Sequence, residues 1–144
     1  MSSPRHQARE AALRALYLWE VGRTQPAEAL DTFFAEHEPD ASDAVRRFAR
    51  ELVLGTAADV ATLDALIVRF SENWRLERLA IIDRMILRMA AWELQHVEDT
   101  PAAVILNEAL ELARTFSADD SVRFVNGVLD GIVKGKGQRA EGKG

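Results

Sequence analysis

The chain has 144 residues, 48% of them hydrophobic and 28% charged, with a net charge of −5 and no cysteine. That is the composition of one globular domain, long enough to bury about two-thirds of its unfolded surface. It excludes a disulfide framework, thiolate metal ligands and a cysteine nucleophile, and the acidic balance confines any nucleic-acid site to a local patch.

The elements follow in chain order. Residues 5–22 read as a helix, with Leu13, Leu16, Tyr17 and Val21 on one face and Gly22 as its stop. Thr24-Gln-Pro26 opens a second helix to about His37, because Pro is accepted in a first turn. Pro39-Asp-Ala-Ser42 is a loop. Ser42 can cap a long third helix to about Phe70, on which Phe48, Leu52, Leu63, Leu66, Ile67 and Phe70 recur and Gly55 is an irregularity. Residues 71–75 are a break, and Leu76 to Ala80 a short turn. A central helix spans about Ile81 to Val97. Thr100-Pro101 starts the next, which carries Ile105, Ala109, Leu112, Ala113 and Phe116 on one face. After the corner at Ser117-Ala-Asp-Asp-Ser121, a last helix runs to about Val133 with Phe124, Val125, Val128, Leu129 and Ile132 inward.

No strand alternation and no internal repeat occur. The fold class is therefore all-α, with residues 1–133 as one helical domain. Residues 134–144 are Gly-rich and charged, and are expected to be a disordered tail carrying Lys134, Lys136, Arg139 and Lys143. No apolar run reaches the ~20 residues of a membrane span, and the N-terminus lacks the apolar centre of a signal peptide. A soluble, cytoplasmic protein with no membrane partner is expected.

Catalytic chemistry finds little support. Glu93-Leu-Gln-His96 has the spacing of a di-iron motif, but such sites need a second copy and two further glutamates. Glu108 and Glu111 are better read as helix-surface charge. His6, His37 and His96 are scattered, and no Gly-rich phosphate loop follows a strand. No metal, no cofactor and no enzymatic activity are expected.

Other residues carry two readings each. Arg5, His6 and Arg9 occupy a helix start, where cations are disfavoured by about 0.3–1 kcal/mol. They are either an incidental polar terminus or a phosphate-binding arm. Tyr17 reads as a core-edge residue with its hydroxyl in water. Ser117 and Asp120 fit a capping box, Ser117 as N-cap. Periodicity puts Phe124 in the core. Asn107, Glu108 and Asn126 read as structural groups bonded across a helix pair. Gly127, which costs a helix about 1 kcal/mol against Ala, reads as a point of close helix approach. Asp83 suits the positive end of the central helix.

The wording of several segments is more specific than helix packing requires. Leu106-Asn-Glu-Ala-Leu-Glu-Leu-Ala-Arg114 is followed by Phe124-Val-Asn-Gly-Val-Leu-Asp130. Ala8-Arg-Glu-Ala-Ala-Leu-Arg-Ala-Leu-Tyr17 and Ile82-Asp-Arg-Met-Ile-Leu-Arg-Met-Ala-Ala-Trp-Glu-Leu94 precede them. In this order the four segments resemble the NusB family of bacterial transcription antitermination factors, over most of residues 5–133.

The resemblance implies a bundle of about six to seven helices in two sub-bundles, the long third helix linking them. It implies a non-enzymatic factor that pairs with ribosomal protein S-ten (NusE) and binds boxA RNA as a single strand. That pair supports processive ribosomal RNA transcription within an antitermination complex on RNA polymerase. It also implies the sites. Arg5, His6 and Arg9 stand where the family has an RNA-binding arm, here a sparser basic run. Tyr17 lies near the RNA path. Asp120, Arg123 and Phe124 match an RNA-contacting corner, and Asp83 matches an acidic position near the protein-partner surface.

Self-association as a homodimer, the exact RNA sequence and the part played by the tail stay open. Two alternatives stand beside this reading. One is a helical protein-interaction adaptor. The other is a stand-alone relative of the domain that precedes the catalytic domain of some rRNA cytosine methyltransferases.

Overall fold

Local signals set most helix starts. In the computed structural model, which describes residues 3–71 and 76–142 apart from the side chains of Glu77 and residues 136–142, seven α-helices and no strand occur among the described residues. Ser3 opens α1 (Pro4–Gly22), its Oγ accepting from the His6 amide, with Pro4 in the first turn. The helix ends where Arg23 takes left-handed backbone, φ 55°, and donates its amide to the Trp19 carbonyl. α2 (Pro26–His37) begins at its proline. Ser42 caps α3 (Asp43–Ala58) by accepting from the Val45 amide at 3.2 Å.

The expected long third helix is two helices. It breaks at Asp59, not at Gly55, and α4 (Val60–Phe70) follows. Asp59 has φ −110° and ψ 18° and donates its amide to the Thr56 carbonyl, which closes α3. The break coincides with the division of the chain into two units, α1–α3 and α4–α7. The expected break over 71–75 lies outside the described residues except for Ser71. A turn of 3-10 helix (Leu76–Arg78), α5 (Ile81–His96), α6 (Ala102–Phe116) and α7 (Asp119–Gly142) complete the second unit.

In the first unit α1 packs on both α2 and α3. Its buried stripe is mostly alanine: Ala8, Ala11, Ala12 and Ala15, with Leu13 and Leu16. These small side chains let neighbouring helices approach closely. The stripe includes neither Tyr17 nor Val21, which were expected on it and are exposed. Arg46 fixes the loop before α3. Its Nε donates to the Ala41 carbonyl and Nη2 to the Pro39 carbonyl, at 3.0 and 2.8 Å, while the guanidinium lies 5.0 Å from the Phe34 ring centre.

In the second unit α5 packs on α4, α6 and α7. Residues 85–94 of α5 are buried without a gap, the pattern of a core helix, not a surface one. Arg88 is among them. Its Nε and Nη2 each donate to one oxygen of Asp64 on α4, at 2.7 and 2.8 Å. A buried guanidinium needs this two-point match to offset its desolvation.

α7 does not stop near Val133, where the expected tail begins, but continues to Gly142. Adding residues to a formed helix costs far less than starting one, and the segment just before it is anchored by buried Val125, Val128, Leu129 and Ile132. The side chains of Lys136 and Arg139, and all of Lys143, lie outside the described residues.

Candidate nucleic-acid interface

The first group of expected site residues lies on α1. Arg5 places its guanidinium 4.4 Å from the Phe48 ring centre on α3. Arg9, one turn on, lies 5.4 Å from the same ring and is only 3% exposed. The two cations therefore differ. Arg5 is half-buried, whereas Arg9 is buried with its guanidinium near Phe48. His6 holds Nε2 at 3.0 Å from Glu10 Oε1 across one helical turn. Tyr17 is 39% exposed, and Leu18 and Val21 beside it on α1 are exposed as well. Tyr17 is thus a surface ring, not a core-edge one.

The second group lies at the α6–α7 corner. Asp120 and Arg123 are exposed and Phe124 is half-buried, so Phe124 is not the core residue its periodicity suggested. The core positions of the same helix are Val125, Val128, Leu129 and Ile132. Asp120 sits in the first turn of α7, where a negative charge is favoured. The capping box does not form. Ser117 closes α6 in extended conformation, and its hydroxyl donates to Asp83 Oδ1. The Ser121 hydroxyl donates to the other oxygen, Oδ2, at 2.7 Å.

Asp83 is 5% exposed. It braces the corner from α5 with both oxygens. A sequence reading misses this bond because the residues are 34 and 38 positions apart.

Asn107 and Asn126 are exposed, contrary to their reading as groups bonded within a helix pair. Gly127 is exposed too, and a Cβ built on it would meet nothing within 4 Å. Among the described residues no helix approaches it. The close approach occurs farther along α7. There a Cβ on Gly131 would lie 2.8 Å from Phe70 Cδ1, and one on Gly135 2.7 Å from Phe70 Cζ.

Gly127 borders an open groove of about 470 Å³ between α4 and α7, whose rim includes Arg69, Phe70, Arg123 and Phe124. Arg69 and Phe70 were not singled out from the sequence. By periodicity Phe70 is the last core position of a long helix, and the Gly131/Gly135 spacing on α7 is the one sequence signal of a ring seated there.

Glu93 is 1% exposed, while His96 is exposed, stacks on Trp92 at 4.8 Å and bonds through Nδ1 to the Trp92 carbonyl. Glu111 is paired with Arg114 on the surface at 2.7 Å. Among the described residues no cluster of three His, Asp or Glu side chains could hold a metal ion, and no helix is long and apolar enough to cross a membrane.

Known proteins share this sequence and fold over nearly the whole chain. The transcription antitermination protein NusB of Sorangium cellulosum is 44% identical over 134 residues, covering 93% of this chain and 94% of the relative. The same-named protein of Desulforamulus reducens is 41% identical over 136 residues, covering 94% of each. Among solved structures, T. maritima NusB superposes with a TM-score of 0.84 at 33% identity, covering 93% of each chain. The NusB structure solved as a complex of antitermination factors NusB and NusE with dsRNA has the same TM-score at 24% identity, covering 94% of this chain and 99% of its own, and so shares the fold. The model of the NusB family matches residues 6–134, and the chain belongs to that family.

Proposed function

We propose that the chain is a non-enzymatic, RNA-binding transcription antitermination factor. With ribosomal protein S-ten (NusE) it binds boxA RNA in the cytoplasm and supports processive ribosomal RNA transcription by RNA polymerase. The observation that carries this reading is the α6–α7 corner. The family wording of residues 124–130 is unaltered there, Asp120 and Arg123 are exposed, and Phe124 is half-buried. A solved fold neighbour crystallised with NusE and RNA supports the choice of partners.

The roles are divided by chemistry. Arg123 offers charge to a phosphate, and Phe124 offers a ring to a base. Asp120 cannot attract RNA by charge, but can accept hydrogen bonds from base amino groups, which contributes selectivity. Arg5 and His6 form the phosphate-facing part of the arm, with Tyr17 as a second exposed ring, and Arg9 holds Phe48 beneath them. Asp83 acts on the corner through Ser117 and Ser121.

The test is a titration of labelled single-stranded boxA-like RNA with the chain, alone and with purified S-ten. Two tethered contacts raise effective concentration, so S-ten should tighten RNA binding by at least about ten-fold. Binding of S-ten with no RNA affinity in either state would instead identify a protein-only adaptor.

A further inference from the structure

The groove between α4 and α7 extends past the corner to residues that no part of the RNA reading requires. Among the described residues its lining has two arginines, Arg69 and Arg123, and no acid, in a chain where acids outnumber Lys and Arg by 23 to 18. Arg123 has no ion-pair partner among the described residues. Arg69 is held in place. Its guanidinium lies 5.3 Å from the Phe70 ring centre, and Phe70 is itself seated against Gly131 and Gly135. A guanidinium stacked on a fixed ring loses less freedom when it engages an anion, and its planar fork suits phosphate oxygens.

Gly127 supplies the third feature. A glycine inside a helix costs stability, and packing among the described residues does not explain this one, since none of their atoms lies within 4 Å of where its Cβ would be. What a missing Cβ provides at an open helix face is room for a ligand to lie against the backbone. The groove's volume falls within the ~300–1,000 Å³ of small-ligand sites, and the aromatic Phe124 lines it as well.

We propose that this groove receives one nucleotide of the bound RNA strand. Its phosphodiester lies between Arg69 and Arg123, and its base or sugar lies over Gly127 beside Phe124. The proposal rests on the RNA-binding reading and adds Arg69, Phe70 and Gly127 to it.

Two variants of the full chain test it, Arg69→Ala and Gly127→Leu, titrated with labelled single-stranded boxA-like RNA in the presence of S-ten over a series of salt concentrations. Loss of one phosphate contact in Arg69→Ala should lower the slope of log K against log salt by about 0.7. Gly127→Leu fills the groove floor and should weaken RNA binding about ten-fold, the scale of one base contact. The melting temperature should hold or rise, because the new side chain enters open space. Affinity for S-ten without RNA should be unchanged in both.

Wild-type affinity and slope in both variants would overturn the groove proposal while leaving the corner reading intact. Loss of S-ten binding instead of RNA binding would make the groove a protein site and overturn it as well. Failure of the wild-type chain itself to bind the RNA would overturn the functional reading and this proposal with it.

Discussion

Two glycines four residues apart on α7 illustrate how differently the same residue type is used. A Cβ at Gly127 meets nothing within 4 Å, whereas one at Gly131 would lie 2.8 Å from Phe70 Cδ1 and 3.2 Å from Cγ. Gly127→Ala should therefore stabilise the chain by about 1 kcal/mol, the helix-propensity difference alone. Gly131→Ala should destabilise it by about 1–3 kcal/mol, because a fixed ring has to shift. Urea denaturation of both variants checks the pair, and equal effects would show that the Phe70 seat is not tight.

The two N-terminal arginines contrast in the same way. Arg9 is buried near Phe48, and the half-buried Arg5 lies over the same ring. Arg9→Ala should act mainly on stability, exposing Phe48 and removing a cation–π contact of about 0.5–2 kcal/mol. Arg5→Ala should act mainly on RNA, lowering the salt slope by about 0.7 with the fold retained. Thermal melts beside RNA titrations separate the two, and a change of RNA slope confined to Arg9→Ala would reverse the assignment.

At the scale of elements, the second unit is tied to its central helix by two carboxylates. Asp64 on α4 receives the buried Arg88 of α5. Asp83 of α5 receives Ser117 and Ser121 on the two sides of the α6–α7 corner. The consequences of removing them differ in size. Asp64→Ala strands the guanidinium of an arginine whose side chain is 6% exposed, and should cost about 3–5 kcal/mol. Asp83→Ala leaves two hydroxyls short of an acceptor, and should cost about 1–3 kcal/mol. Because those hydroxyls hold the corner that presents Asp120, Arg123 and Phe124, Asp83→Ala should also weaken RNA binding, with Asp83→Asn intermediate since it keeps one acceptor oxygen. Chemical denaturation gives the stability order. RNA affinity unchanged in Asp83→Ala at full folding would confine its role to stability.

At the scale of the whole molecule, net charge and local charge point in opposite directions. An overall −5 repels nucleic acid at long range, so specific binding has to come from small cationic surfaces and from a partner. The groove rim of Arg69 and Arg123 is such a surface within the second unit. The exposed strip of Tyr17, Leu18 and Val21 on the first unit supplies apolar and aromatic surface instead. Binding should accordingly show a shallow salt dependence, since few phosphates are contacted, and a strong dependence on S-ten.

The all-α class, most helix starts and the family were determined by the sequence itself. Caps such as Ser42, the first-turn Pro26 and the 3.6-residue recurrence of apolar side chains act within a few positions along the chain, so they are legible without knowing what lies opposite. The wording of residues 124–130 is likewise local. Tertiary structure alone decided which faces of those helices are covered. It buried Arg9 and left Tyr17 outside, left Gly127 open while seating Phe70 on Gly131, and turned Asp83 from a helix-end charge into an acceptor for two distant serines. Each outcome depends on groups brought together from separate elements, and burial is set by what packs against a side chain, which no local pattern encodes.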